Sequence, residues 1–95
     1  MQRQRLEDMA ERPRCHAADS IAVDIFAMDM KRKLAKNVHK KHWSEVTLEY
    51  LYSRMLEEQA ELYYALKSGK AQDIIDECAD VSNFAMMIAD SVRHA

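Results

Sequence analysis

Apolar side chains recur every three or four residues in three long segments of the chain, which is the spacing of an α-helix. The first segment predicts a helix from about Asp19 or Ser20, either of which can cap it, to about Lys40. Lys33 and Asn37 precede Lys40 at intervals of seven and three residues, so we expect these three side chains to share one face. The apolar stripe beside that face consists of Val23, Phe26, Met30, Leu34 and Val38.

The other two segments predict a pair of helices joined by a very short turn. One extends from about Thr47 to Lys67 and the other from about Ala71 to Val92. Their stripes are Leu48, Leu51, Met55, Leu62 and Leu66, then Ile74, Cys78, Val81, Ala85 and Ile88. The connection, residues 68–70, holds the only glycine of the chain, which suits the left-handed end of a helix. A connection this short predicts an antiparallel helical hairpin.

Composition indicates a single all-α domain. The chain has 95 residues, 48% of them hydrophobic, with one glycine and one proline. Residues 1–18 are predicted to be an irregular or short helical arm, followed by a helical domain at residues 19–95. Three helices do not close a four-helix core, and a chain this small is marginally stable alone. We therefore expect a four-helix-bundle type of fold that is completed by oligomerisation.

Charge and cysteine usage exclude several classes of protein. The formal net charge of −2 argues against a general nucleic-acid coat. Cys15 and Cys78 have no paired spacing, so neither a disulfide framework nor a cysteine-based zinc site is expected. The start of the chain lacks the pattern of a signal peptide, and no apolar run reaches transmembrane length. These features lead us to expect a cytoplasmic protein.

Two pairs of carboxylates stand at matching distances from the turn. Glu61 is eight residues before Gly69 and Glu77 is eight after it, while Glu58 is eleven before and Asp80 eleven after. At a rise of about 1.5 Å per residue, the inner pair is about 12 Å from the turn and the outer pair about 16 Å. An antiparallel hairpin therefore brings all four carboxylates to matching heights, and they converge if both faces point into the shared groove.

Converging carboxylates repel one another unless a cation neutralises them. All-oxygen ligands select hard divalent ions, of which Mg²⁺ is the usual partner of phosphates and Mn²⁺ a substitute. The alternative is an ordinary solvated acidic surface, and spacing alone leaves both interpretations open. No lysine or arginine lies within residues 57–61 or 73–80, which favours the metal site.

The motif Glu57-Glu58-Gln59-Ala60-Glu61, followed by Glu77-Cys78-Ala79-Asp80, resembles the EExxE…ExxD pattern of the MazG-like all-α nucleoside triphosphate pyrophosphohydrolases. The similarity extends over roughly residues 26–90. It implies Mg²⁺-dependent hydrolysis of an NTP or dNTP to the monophosphate and pyrophosphate, in a homodimer or homotetramer. By position, Glu58, Glu61, Glu77 and Asp80 would be the metal ligands. Glu57, Glu58 and Glu61 would be the catalytic acids, with Glu57 either binding a second metal or orienting the attacking water. The alternative for Glu57 is an outer-face residue, because it sits about 100° around the helix from Glu58.

Residues around these acids are candidates for binding the substrate. They are side chains that could contact phosphates, an aromatic ring that could stack on a base, and polar neighbours of the acids. The six residues are Lys33, Asn37, Lys40, Trp43, Arg54 and Asn83. Each also has a structural interpretation. The lysines can be a solvated basic face, Trp43 a core anchor, and Arg54 a simple partner of Glu58.

Three other classes of protein remain as alternatives. A non-catalytic helical interaction module would use its acids only for solubility. A nucleic-acid binder would rest on the basic stretch Lys31–Lys41 alone. A di-iron bundle normally needs Glu-x-x-His motifs, and no histidine here has a glutamate three residues before it. The preferred base and sugar are not legible in the sequence.

Overall fold

The computed structural model describes residues 15–95, which form three long helices and one short 3₁₀ turn. Helix α1 is His16–Ala35, the 3₁₀ turn is Trp43–Glu45, helix α2 is Leu48–Ser68 and helix α3 is Ala71–Arg93. No strand occurs in this part of the chain. The all-α prediction is therefore confirmed, whereas the interpretation of residues 1–14 as an arm lies outside the described residues. None of the described helices is both long enough and apolar enough to cross a membrane.

The hairpin of α2 and α3 begins and ends where the sequence predicts. The Thr47 hydroxyl caps α2 by accepting a hydrogen bond from the backbone N–H of Tyr50 at 3.0 Å. Gly69 ends α2 in the left-handed conformation, with φ of 74°, and its N–H donates to the Ala65 carbonyl. A side chain with a Cβ would be disfavoured at that φ, so the lone glycine fixes the turn.

Helix α3 is central, because α2 packs along one side of it and α1 along another. The Asn83 side chain donates to the Met30 carbonyl at 3.1 Å, and Lys33 pairs with Asp80. Residue numbers therefore increase along α1 in the direction in which they decrease along α3, so these two helices are antiparallel. Since α2 is also antiparallel to α3, α1 and α2 run in the same direction.

The connection between α1 and α2 must therefore return along the length of the bundle. It comprises residues 36–47, and its 3₁₀ turn contacts α3. The indole N–H of Trp43 donates to Asp90 at 2.9 Å, near the end of α3. Twelve residues can span up to about 40 Å, which is ample for this crossover.

Helix α1 differs from the prediction at both ends. It starts at His16, three residues before Asp19, and it ends at Ala35 instead of about Lys40. After Ala35 the backbone forms turns, in which the N–H groups of Lys36, Asn37 and Lys40 each bond to the carbonyl three residues before. The prediction of helix beyond Ala35 is wrong because this stretch repeats lysines without acids and offers nothing to bury. Val38, its only large apolar side chain, is 81% exposed.

The core is small and lies between α2 and α3. Its buried apolar members are Leu51, Ala65 and Ala79, and Ala79 is completely covered. Small side chains at positions 65 and 79 let the two helix backbones approach closely. On α2, Leu51, Glu58 and Ala65 are seven residues apart, so Glu58 lies on the same line as the two buried residues and faces α3.

Candidate metal centre

Three carboxylates from the two hairpin helices converge in the groove between them. One oxygen each from Glu58, Glu77 and Asp80 lies within 4.8 Å of the others. Glu58 reaches this point because it follows the line of Leu51 and Ala65 into the interface, and the tight turn sets its height against α3. The packing of the hairpin thus assembles the cluster.

Glu77 is the most perturbed member of the cluster. Burial is the main cause that raises its pKa, from an ordinary 4.5 to about 7, followed by the charge of Glu58, a hydrogen bond with it, and the charges of Asp80 and Glu61. Its Oε2 atom is buried and has no hydrogen-bond partner within the described chain. Near neutral pH, Glu77 therefore exchanges readily between the acid and the carboxylate.

Two cationic side chains border the cluster, one on each outer carboxylate. Lys33 Nζ, from α1, lies 3.4 Å from Asp80 Oδ2, and both side chains are largely covered. Arg54, one turn before Glu58 on α2, lies 3.3 Å from a Glu58 oxygen and 5.3 Å above the ring of Phe84. Asp80 therefore stands where all three helices meet.

Glu57 and Glu61 flank the cluster without belonging to its three closest oxygens. The Glu57 side chain is 66% exposed and lies 2.9 Å from Arg54. Glu61 is exposed, and it is near enough to Glu77 to raise that group's pKa. Because Glu61 is three residues after Glu58, it is rotated about 60° away from the line that faces α3. Of the four predicted ligands, the packing brings three together and places Glu61 beside them.

A comparison with known protein families matches residues 26–92, more than two thirds of the chain, to the family described as phosphoribosyl-ATP pyrophosphohydrolase. The matched region contains all five acids of the motif. The chain belongs to this family. The phosphoribosyl-ATP pyrophosphohydrolase family is part of the MazG-like all-α NTP pyrophosphohydrolase superfamily, so the predicted resemblance and the all-α MazG-like fold are confirmed, whereas completion of the fold by oligomerisation stays a prediction. No curated protein and no solved structure gives a match.

The cluster fits the divalent metal on which pyrophosphohydrolases of this family typically depend. Its donors are all carboxylate oxygens, the ligands that hard divalent ions prefer. The buried oxygen of Glu77 has no donor from the described residues, and burial together with the neighbouring acids raises the pKa of Glu77 and so disfavours its ionised form. A cation bound by these oxygens would relieve both features.

The remaining predicted substrate residues are scattered. The Asn37 amide donates to the Lys33 carbonyl at 3.2 Å, and Lys40 is exposed in the turns after α1. Since α1 ends at Ala35, the prediction that Lys33, Asn37 and Lys40 share one helical face is wrong. Trp43 stacks on His42 with ring centroids 4.0 Å apart.

Asn83 and Trp43 are both tied into the fold. Asn83 is 4% exposed, its amide holds the Met30 carbonyl, and its Oδ1 has no partner in the described region. The Trp43 contact with Asp90 is ten residues, or about 15 Å, along α3 from Asp80. Their contribution to substrate binding stays a prediction.

A cleft adjoins the cluster near the hairpin turn. It has a volume of about 330 Å³ and is bordered by Lys33, Glu61 and Glu77, with Ser68, Tyr64 and two aspartates completing the polar wall. Those aspartates, Asp73 and Asp76, were not singled out from the sequence. Their spacing of seven and four residues before Asp80 was the available signal, because it places all three on one side of α3.

Proposed function

We propose that this chain is a Mg²⁺-dependent pyrophosphohydrolase that converts an NTP or dNTP to the monophosphate and pyrophosphate. The observation that supports this most directly is the convergence of Glu58, Glu77 and Asp80 within 4.8 Å, inside the region that matches a pyrophosphohydrolase family. Carboxylate clusters of this kind suit a cation that also binds phosphates.

In this proposal Glu58, Glu77 and Asp80 hold the metal, and Glu61 completes the ligand set from the cleft side. A bound Mg²⁺ would neutralise the triphosphate and lower the pKa of a coordinated water. We assign to Glu61 the further role of accepting a proton from the attacking water, because its side chain is exposed beside the cluster. Glu57 orients Arg54 through their 2.9 Å contact and thereby supports Glu58.

The family description supplies a second candidate substrate. Phosphoribosyl-ATP carries the same triphosphate as an ordinary nucleotide, and its hydrolysis also releases pyrophosphate. The carboxylates and Lys33 would treat both triphosphates alike. Discrimination would depend on contacts to the base and sugar, outside the carboxylate cluster.

Hydrolysis of a panel of NTPs, dNTPs and phosphoribosyl-ATP tests the proposal. Pyrophosphate and orthophosphate are scored separately, with Mg²⁺ and with EDTA. We expect Mg²⁺-dependent release of pyrophosphate, reduced by a factor of about 10² in E77Q and E61Q. The matched control is E49Q, since Glu49 is exposed and about 14 Å along α2 from Glu58.

No turnover of any panel member by well-folded protein would contradict the proposal. That result would favour the interaction module, in which the acids keep the surface hydrated. Release of orthophosphate alone would show that a different phosphate bond is cleaved. A cytoplasmic location stays a prediction.

Self-association through the outer faces of α1 and α2 is the second part of the proposal. Leu51 is the only large apolar side chain that is fully buried in residues 15–95. Helices α1 and α2 each pack mainly on α3, and both leave large apolar side chains in contact with solvent. These include Ile21, Val23, Ile25 and Met28 on α1, and Tyr50, Tyr52, Leu56, Tyr63 and Tyr64 on α2. A second copy of the chain offers matching apolar faces on the same helices.

Light scattering after size exclusion measures this association. We expect a particle of two or four times the chain mass of 11.1 kDa. L56E should shift it towards the monomer, because it places a charge on a face that we propose to be buried between copies. The control K70E alters an exposed position in the turn between α2 and α3, outside both proposed faces. A monomer at all concentrations would refute this part.

A further inference from the structure

The carboxylate cluster already has a cation from the protein in contact with it. Lys33 Nζ is 3.4 Å from Asp80 Oδ2, and each of the two side chains is only 19% exposed. Asp80 is also one of the three acids whose oxygens converge. A lysine ammonium and a divalent cation on the same carboxylate repel each other, so Lys33 opposes occupation of the cluster.

Lys33 differs from the other cationic neighbour in how it reaches the cluster. Arg54 belongs to the same helix as Glu58 and stacks over Phe84, so it stays beside the site in any arrangement of the helices. Lys33 comes from α1 and holds Asp80 by a single ion pair. Its flexible stem can carry the ammonium elsewhere at little cost.

Helix α1 remains docked without the Lys33–Asp80 pair. Arg32 lies 2.6 Å from Asp76, and the Asn83 amide donates to the Met30 carbonyl. Both contacts come from positions just before Lys33, and they anchor α1 to α3 independently of Asp80. Movement of the Lys33 side chain therefore does not require movement of the helix.

The adjoining cleft offers a second position for the ammonium group of Lys33. Lys33 borders this space together with Glu61 and Glu77, and the cleft is also lined by the acids Asp73 and Asp76. An anionic phosphate in such a cleft needs a cation of the protein close by, and Lys33 is the only basic side chain that borders it among the described residues.

We propose that Lys33 is an exchangeable counter-ion, which neutralises Asp80 in the metal-free protein and transfers to a substrate phosphate when a divalent cation occupies the carboxylates. This inference rests on the proposed function, because it assumes that the cluster binds a cation and a triphosphate together. Lys33 then weakens binding of the cation alone and strengthens binding of the cation with the nucleotide. The two ligands therefore bind cooperatively.

The K33M variant separates this exchange from a purely structural role. The exchange predicts that K33M binds the cation alone more tightly and the nucleotide more weakly than the wild type does. Calorimetry of the full chain with Mn²⁺ alone should show three- to tenfold tighter binding in K33M than in the wild type, an effect of about the size of one partly buried ion pair. With Mn²⁺ present, an α,β-imido triphosphate analogue should bind about tenfold more weakly to K33M. K33R should behave like the wild type in the first titration, because it keeps the charge.

Two controls make the comparison specific. K36M removes an exposed lysine one turn further along, and should leave both affinities unchanged. Thermal melting of each variant checks that it is folded. Met has a stem similar in length to that of Lys, so the packing around position 33 is retained.

The outcomes separate the two proposals. If the wild type binds Mn²⁺ but K33M binds it no more tightly, the exchange is refuted and the metal centre stands. The exchange is equally refuted if K33M binds the analogue as well as the wild type does. If K33M shows both opposite effects but neither protein releases pyrophosphate, the exchange stands and the proposed activity fails. Absence of Mn²⁺ binding by the wild type refutes both.

Discussion

Replacing Glu77 by Gln should stabilise the metal-free protein while removing its response to Mg²⁺. Burial and the neighbouring acids raise the pKa of Glu77 from 4.5 to about 7, so the ionised form is disfavoured in the folded state. A pKa shift of this size lowers the free energy of unfolding by at most about 3 kcal/mol at pH 8. Water reaches part of the cluster, so we expect E77Q to gain about 1–2 kcal/mol in free energy of unfolding.

Thermal unfolding in EDTA between pH 5 and pH 8 measures this effect. Because the folded-state pKa of Glu77 lies above the ordinary 4.5, its contribution to stability is full below about pH 4.5 and is lost as the pH rises through about 7. The wild type should therefore melt at a higher temperature at pH 5 than at pH 8. E77Q should lack this dependence and melt about 5–15 °C above the wild type at pH 8.

Other perturbed groups titrate outside this window. The hydrogen bond from Arg32 is the main cause that lowers the pKa of Asp76, so its contribution is lost only as the pH falls below 3.8. Burial raises the pKa of Cys78 from 9.0, which acts only at alkaline pH. The change in melting temperature between pH 5 and pH 8 should therefore report mainly on Glu77.

Mg²⁺ provides the second arm of the experiment. At a concentration one hundred times its Kd, it should add about 2.7 kcal/mol to the wild type and much less to E77Q. The control E57Q changes an exposed glutamate of the same motif, and should alter stability by less than about 1 kcal/mol. Destabilisation of E77Q at pH 8, or a pH slope equal to that of the wild type, would refute this account of the cluster.

Three further predictions concern packing and access. L51A should lower the free energy of unfolding by about 2–5 kcal/mol, because Leu51 is 2% exposed; a loss below about 1 kcal/mol in urea denaturation would contradict this core. N83A should cost about 1–3 kcal/mol by leaving the Met30 carbonyl without its donor, and hydrogen exchange should show α1 opening more often. Alkylation with iodoacetamide at pH 8 should modify the exposed Cys15 before the half-buried Cys78, whose thiol has a raised pKa; mass spectrometry of partly labelled protein would expose the reverse order.

The local features of the fold could be predicted from the sequence because each depends on a few neighbouring residues. The Thr47 cap, the left-handed Gly69 and the bounds of α2 and α3 agree with the prediction to within about one residue. The heights of Glu58 and Asp80 on the hairpin also follow from counting, because helical rise is constant and a three-residue turn leaves no freedom in register.

Rotation of the helices about their axes was decided only by packing. Residues 65 and 79 are alanines that are buried between α2 and α3, and the packing of these faces turns Glu58 into the groove and leaves Glu61 at its edge. The apolar stripes did not reveal this, because they omit Ala65 and Ala79 and include Ala85, which is exposed. Small residues carry little weight in a hydrophobic pattern, although they set how closely two helices approach.

The position of α1 against α3 could not be predicted from the sequence and is known only from the tertiary structure. Its contacts with α3 join residues about fifty positions apart, such as Met30 with Asn83 and Lys33 with Asp80, and no local spacing encodes them. The sequence by itself determined three helices, a hairpin and two acidic motifs at equal heights, since these depend on backbone geometry and neighbouring side chains. Only the packed structure decided that Lys33 meets Asp80 and that three acids share one point, because those contacts depend on how whole helices lie against one another.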